Sequence, residues 1–123
     1  ENSHLKMEWN CGITATPTLE DKIIQFRASG IRVKLPNFAP ALNLVGTQIP
    51  IFPWVKLPAE ILSEGEPNKG RYMTIREAAA IQGMQDLNFS SLSSTRTLEA
   101  LGNAINVTLV RRIAKLLLND EQQ

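Results

Sequence analysis

The stretch Arg71-Tyr-Met-Thr-Ile-Arg-Glu-Ala-Ala-Ala-Ile-Gln-Gly-Met84 carries a complete set of helix signals. Thr74-Ile-Arg-Glu77 has the spacing of a capping box, in which the Thr oxygen accepts from the amide three residues on and Glu77 reaches back to the Thr74 amide. Ala78, Ala79 and Ala80 are strong helix formers, and Gly83 supplies the stop. Downstream the pattern stays helical. Ser94 or Thr95 is placed to cap a second short helix running through Ala100. A last element from about Asn106 to Leu118 puts Leu109, Val110, Ile113, Leu116 and Leu117 on one stripe, with Arg111, Arg112 and Lys115 off it.

Upstream the period changes. Residues 22–56 read as strands: Lys22-Ile-Ile-Gln-Phe-Arg27 is strand-like, Ser29-Gly30 marks a turn, and Ile31-Arg-Val-Lys-Leu35 alternates apolar and basic residues. A period of two sends Arg32 and Lys34 to one face and Ile31, Val33 and Leu35 to the core. Pro36, Gly46, Pro50, Pro53 and Pro58 then cut the segment into short strands with irregular connections. Residues 1–20 have weak periodicity and read as an extended or turn-rich lead-in. Residues 59–70 are polar and read as an exposed linker. The expected fold is α+β, a small irregular β-rich region followed by two or three helices. The expected organisation is a lead-in or tail over 1–21, a β-rich region with its linker over 22–70, and a helical region over 71–123.

A chain of 123 residues suits one domain with a modest core. Its 43% apolar and 20% charged residues are ordinary for a soluble globular protein. No apolar run approaches the ~18 residues that span a bilayer, so no membrane association is expected. The single cysteine, Cys11, has no intramolecular disulfide partner, which makes a reducing cytoplasm the expected compartment. Net charge is only +1, but its distribution is uneven. From Lys22 to Pro58 the basic residues Lys22, Arg27, Arg32, Lys34 and Lys56 meet no acidic one, whereas the remainder to the C-terminus is near neutral. Such a segment either lies against phosphates or is a solvated surface that lacks carboxylates. His4 has no second His or Cys at ligand spacing, and no metal site is visible.

Two motifs add a family resemblance. Arg71, Thr74, Arg76, Glu77, Ala79, Gln82, Gly83 and Met84 fit the frame Arg-x-x-Thr-x-Arg-Glu-x-Ala-x-x-Gln-Gly-hydrophobic, with Ala78 one position off its alanine. About twenty residues on, Gly102, Asn103, Ala104, Ile105 and Val107 fit Gly-Asn-Ala-hydrophobic-x-Val before an amphipathic helix. In this order near a C-terminus, they resemble the last two motifs of the cytosine-C5 DNA methyltransferases. Phe26 to Lys34, with Pro40-Ala-Leu42 and Gln48-Ile-Pro-Ile51, is similar to the variable target-recognition region of those enzymes.

The resemblance implies an S-adenosyl-L-methionine-dependent transferase of the restriction–modification or phage type, in a bacterial cytoplasm and associated with the nucleoid through DNA. The family's nucleophile is a Cys between Pro and Gln. Its thiolate attacks C6 of a flipped-out cytosine and makes C5 nucleophilic toward the methyl donor. Asn10-Cys11-Gly12 does not match that element, and no Gly-rich cofactor loop is present. No catalytic residue is therefore assigned, and Cys11 reads as a plain thiol. The expected role is DNA recognition plus one wall of the cofactor pocket. The chain would be the small subunit of a split enzyme or a fragment, inactive alone and completed by a Rossmann-like catalytic domain or subunit on which the last helix packs. The rival is a stand-alone, non-catalytic DNA-binding module.

Individual residues follow from this reading. Arg27, Ser29, Arg32 and Lys34 are the expected contacts to double-stranded DNA; the opposing reading is a charged strand surface kept soluble. Which basic residue reads a base is left open. Asn103 and Ala104, after a Gly at an expected helix start, are the candidates for the cofactor pocket, with simple capping of the last helix by Asn103 as the alternative. Arg71, Thr74, Arg76 and Glu77 are expected to be structural. Trp9 and Trp54 are expected to fill a small core rather than stack on bases.

Overall fold

The structure is a computed structural model that describes residues 6–65 and 67–120. His4 and most of the expected N-terminal tail lie outside the described residues. The fold is α+β, as the sequence pattern requires. Two compact units divide the chain at Met73 and Thr74.

The first unit is a five-stranded mixed sheet. Its strands are β1 (Lys6–Asn10), β2 (Ile23–Arg27), β3 (Gly30–Lys34), β4 (Ile51–Lys56) and β5 (Lys69–Tyr72), in the order β1-β3-β2-β4-β5. β2 and β3 form a hairpin closed by Ala28 and Ser29 with Arg27 opposite Gly30, so the turn falls one residue before the expected Ser29-Gly30 and Gly30 opens β3. β4 is antiparallel to both β2 and β5. Its register slips between Phe52 and Lys56, where Pro53 lacks the N–H that a regular ladder needs.

β1 departs from the expectation for residues 1–20. Lys6–Asn10 is an edge strand running parallel to β3, with Glu8 beside Arg32. Only Gly fits at position 30 in this arrangement. Its φ is +134°, and a Cβ there would fall 1.9 Å from the Lys6 carbonyl oxygen. The expected linker over 59–70 also contains structure, a 3₁₀ turn at Ala59–Ile61 and the start of β5.

The sheet buries Val33 completely, together with Ile23, Leu44 and Met73. Trp9 is half-buried and donates from its indole N–H to the Gly12 carbonyl at 3.2 Å. Trp54 corrects the expectation of a core residue, being 36% exposed with its ring 5.5 Å from that of Phe52.

The second unit holds α1 (Ile75–Ile81), α2 (Ser94–Asn103) and α3 (Val107–Asp120). Thr74 caps α1 with the full reciprocal box: its Oγ1 accepts from Glu77 N at 3.2 Å, and Glu77 Oε2 accepts from Thr74 N at 2.8 Å. Gly83, at φ +69°, ends the helix. Gly83 N donates to Ala80 O and Met84 N to Ala79 O, the paired bonds of a Schellman cap. The cap of α2 is Ser93, one residue before the expected position, and the helix continues to Asn103.

Candidate functional site

Alternation along the hairpin gathers the expected DNA-contacting cations on one sheet face. Arg32 stands opposite Gln25 and Lys34 opposite Ile23, so these four side chains share a face with Arg27. The neighbouring strand adds Glu8, whose Oε2 accepts from Arg32 Nε at 2.7 Å and from Arg27 Nη1 at 3.5 Å. All three side chains are partly exposed, from 22% for Arg32 to 34% for Glu8 and Arg27. The Arg32 hydrogen bond, aided by the charges of both guanidiniums, holds the Glu8 carboxyl below its ordinary pKa. Lys34 makes no ion pair among the described residues. With Asn10, Arg32, Leu35 and Phe38 it lines an open groove of about 390 Å³. Ser29 is exposed in the hairpin turn, at the end of the sheet where Arg27 lies.

The same face is not uniformly solvated. Gln25 is only 2% exposed, and its amide donates to Gln48 O at 2.8 Å and Ala41 O at 3.3 Å. A buried carboxamide satisfied in this way pins the segment 41–48 onto the sheet beside Arg32. On that segment Asn43 Nδ2 donates to Gln48 Oε1 at 2.8 Å. Lys22 corrects the picture of a continuous basic surface. It is 1% exposed, and its ammonium pairs with the exposed Asp21 carboxylate, so it adds no surface charge of its own. Lys56 is exposed on β4 opposite Lys69.

Cys11 is buried, and desolvation raises its thiol pKa despite the nearby Lys22 charge. A thiol in that state is protonated at neutral pH. Among the described residues no group of His, Cys, Asp and Glu is placed to hold a metal ion. No helix among them is long and apolar enough to cross a membrane.

In the helical unit, Gln82 organises the second motif. Its buried amide donates to Leu101 O at 2.8 Å and Ala104 O at 3.1 Å, and its own carbonyl accepts from Val107 N at 3.0 Å. One residue at the end of α1 thus reaches the end of α2 through its side chain and the start of α3 through its backbone carbonyl. The helix start expected at Asn103 is displaced: Asn103 is the exposed last residue of α2, and Ala104 is its C-cap. Asn106 performs the capping of α3 instead. Its Oδ1 accepts from Leu109 N at 2.8 Å, while its Nδ2 donates to Ile81 O at 2.6 Å. The dipole argument for an anion at Asn103 therefore loses its basis, because the first amides of α3 begin four residues later, with Val107 N bonded to Gln82 O and Leu109 N to Asn106 Oδ1. Ala104 borders an apolar cavity of about 280 Å³, lined also by Met84, Phe89, Leu92 and Leu101. A second cavity, of about 430 Å³, lies beside the start of α3 between Ile81, Gly83, Thr108 and Arg112.

The four residues expected to be structural separate. Thr74 and Glu77 form the capping box, and Arg76 Nη1 donates to Gln85 O at 3.5 Å. Arg71 lies in β5, in the sheet unit, with its guanidinium 5.5 Å from the centre of the Phe52 ring.

A family model described as C-5 cytosine-specific DNA methylase matches residues 12–119, which include the basic hairpin, both motifs and nearly all of α3. The chain belongs to this DNA methylase family. Among its relatives, the Type II methyltransferase M.AluI of Cellulosimicrobium cellulans is 33% identical over 114 residues, which cover 92% of this chain. The chain spans 19% of that methylase's length. No solved structure matches significantly.

Glu8, Gln25, Gln82 and Asn106 are the residues that sequence reasoning left without a role. The frame around Gln82 contained a signal, since a glutamine fixed beside a helix-ending glycine suits a junction. Nothing in the sequence near Glu8 announced a partner in β3.

Proposed function

We propose that this chain is the DNA-recognition and cofactor-pocket part of an S-adenosyl-L-methionine-dependent cytosine-C5 DNA methyltransferase, and that the remainder of the enzyme supplies the nucleophile. The observation that carries this reading is the gathering of Arg27, Arg32 and Lys34 on one sheet face within the region matched to the family. Guanidinium and ammonium groups on such a face suit phosphates and guanine edges, and Ser29 at the hairpin turn adds a hydroxyl for phosphate. The exposed Asn103 carboxamide next to Ala104, at the rim of an apolar cavity, provides a polar contact and an apolar wall for part of the methyl donor. When bound, that donor supplies the methyl group. Cys11, buried and held protonated, is not assigned the attack on cytosine. The apolar stripe of α3 is the surface for the catalytic domain or subunit, and the cellular setting is the bacterial cytoplasm.

Affinity purification of the tagged chain from its source cells, with a methyl-transfer assay on the eluate, tests this reading. The expected result is a stoichiometric polypeptide bearing a Pro-Cys-Gln segment and a Gly-rich loop, with transfer to C5 of cytosine. Recovery within one longer polypeptide with the same activity keeps the reading in its single-chain form. A monomer that binds DNA, with no methyl transfer and no such partner, replaces it with the stand-alone binding module.

A further inference from the structure

The geometry around Glu8 divides labour among the cations. Arg32 is engaged through Nε, the inner nitrogen of its guanidinium, at 2.7 Å. That contact fixes the plane of the group while leaving its terminal edge available. A terminal edge with two N–H donors is what spans guanine O6 and N7 in the major groove. Arg27 meets Glu8 only through one terminal nitrogen and only at 3.5 Å, so its direction is loosely held. Lys34 offers a point charge beside the groove that Arg32 also lines.

We infer that Glu8 is a positioning residue that buttresses Arg32 for reading a guanine, while Arg27 and Lys34 contact phosphates. The inference rests on the DNA-recognition reading above and says which basic residue carries sequence information. Glu8 has a second effect: it offsets positive charge on this face and so weakens binding to DNA of arbitrary sequence. Discrimination rises from both directions, because the correct base gains an oriented fork while every backbone loses attraction.

The test is selection by the 123-residue chain from a pool of duplexes with a randomised core, followed by binding of the enriched duplex and the unselected pool across a salt series. The wild-type chain is expected to enrich a position occupied by guanine. Glu8→Gln should reduce the guanine preference there by about 5- to 150-fold, the worth of a bidentate arginine contact. It should also bind the unselected pool more tightly, with a log–log salt slope steeper by up to ~0.9. Arg32→Lys keeps the charge but loses the fork, so it should lose the same preference with an unchanged slope. Arg27→Ala should weaken binding to all sequences alike. A Glu8→Gln chain that keeps the guanine preference overturns the inference and leaves the DNA-recognition reading standing. So does one that weakens all binding together with a lowered melting temperature, which marks a merely structural carboxylate. Enrichment without a guanine has the same consequence. A wild-type chain that enriches no sequence overturns both.

Discussion

Glu8 sets the electrostatics of the sheet face. Its carboxyl titrates below the ordinary carboxylate value because ionised Glu8 is hydrogen-bonded by Arg32. A depressed folded-state pKa means that the stabilisation is present above the unfolded pKa and fades as pH falls through the folded one. Carbon-detected NMR of the Glu8 carboxyl should give a midpoint below that of an ordinary glutamate. The Arg32 side-chain signals should move with the same midpoint, and an Arg32→Ala chain should return Glu8 toward its ordinary value. A midpoint at or above that value in the intact chain would contradict the clamp. Gly30 makes a second residue-specific demand. Gly30→Ala should destabilise the sheet unit by about 1–3 kcal/mol from its backbone conformation alone. Displacement of β1 adds to this, because the new methyl would collide with the Lys6 backbone. Denaturant unfolding measures the loss, and NMR of the Glu8–Arg32 pair should show it broken.

Among the elements, α1 is short and depends on its ends. Seven residues form too few hydrogen bonds to hold a helix in isolation, so the capping box and the Schellman turn carry much of its definition. Thr74→Ala should cost about 0.5–2 kcal/mol in thermal or denaturant unfolding. Glu77→Ala should show coupling with it in a double-mutant cycle, since each side chain satisfies the other's backbone amide. Additive losses would mean that the two bonds act independently. These features were legible in the sequence because they span only a few residues. The strand pattern of the hairpin was legible for the same reason, since alternation is a local property. The start of α3 was only half legible. Asn103 and Asn106 both suit a cap, and the choice fell to Asn106, whose amide also reaches the Ile81 carbonyl at the end of α1.

For the molecule as a whole, the exposed apolar stripe of α3 is the outstanding feature. Leu109, Ile113, Leu116 and Leu117 are each about half exposed or more. A contiguous patch of this kind marks a surface covered by another protein body or prone to association. The purified chain should therefore self-associate as its concentration rises in sedimentation velocity. Replacing Ile113 and Leu116 by Glu should leave it monomeric with its helical circular dichroism intact. A wild-type chain that stays monomeric at high concentration would count against the stripe as an interaction surface. If the stripe seats the catalytic body, the same double variant should also lose the co-purifying polypeptide.

Helix ends, the hairpin, the apolar stripe and the two family motifs came from residues close together in the chain, where propensity, capping and period fix the outcome with little help from distant partners. The strand at Lys6–Asn10, the pinning of 41–48 by Gln25, and the junction around Gln82 came from contacts between distant positions. Glu8 meets Arg32 across 24 residues, and Gln82 meets Leu101 across 19. Such pairs are chosen by sheet order and by the requirement that buried amides and carboxylates be satisfied. A linear pattern does not encode that choice. The sequence could nominate Arg27, Arg32 and Lys34 as a set. Only the arrival of β1 beside β3 made them unequal, because it brought one carboxylate within reach of two guanidiniums and not of the lysine.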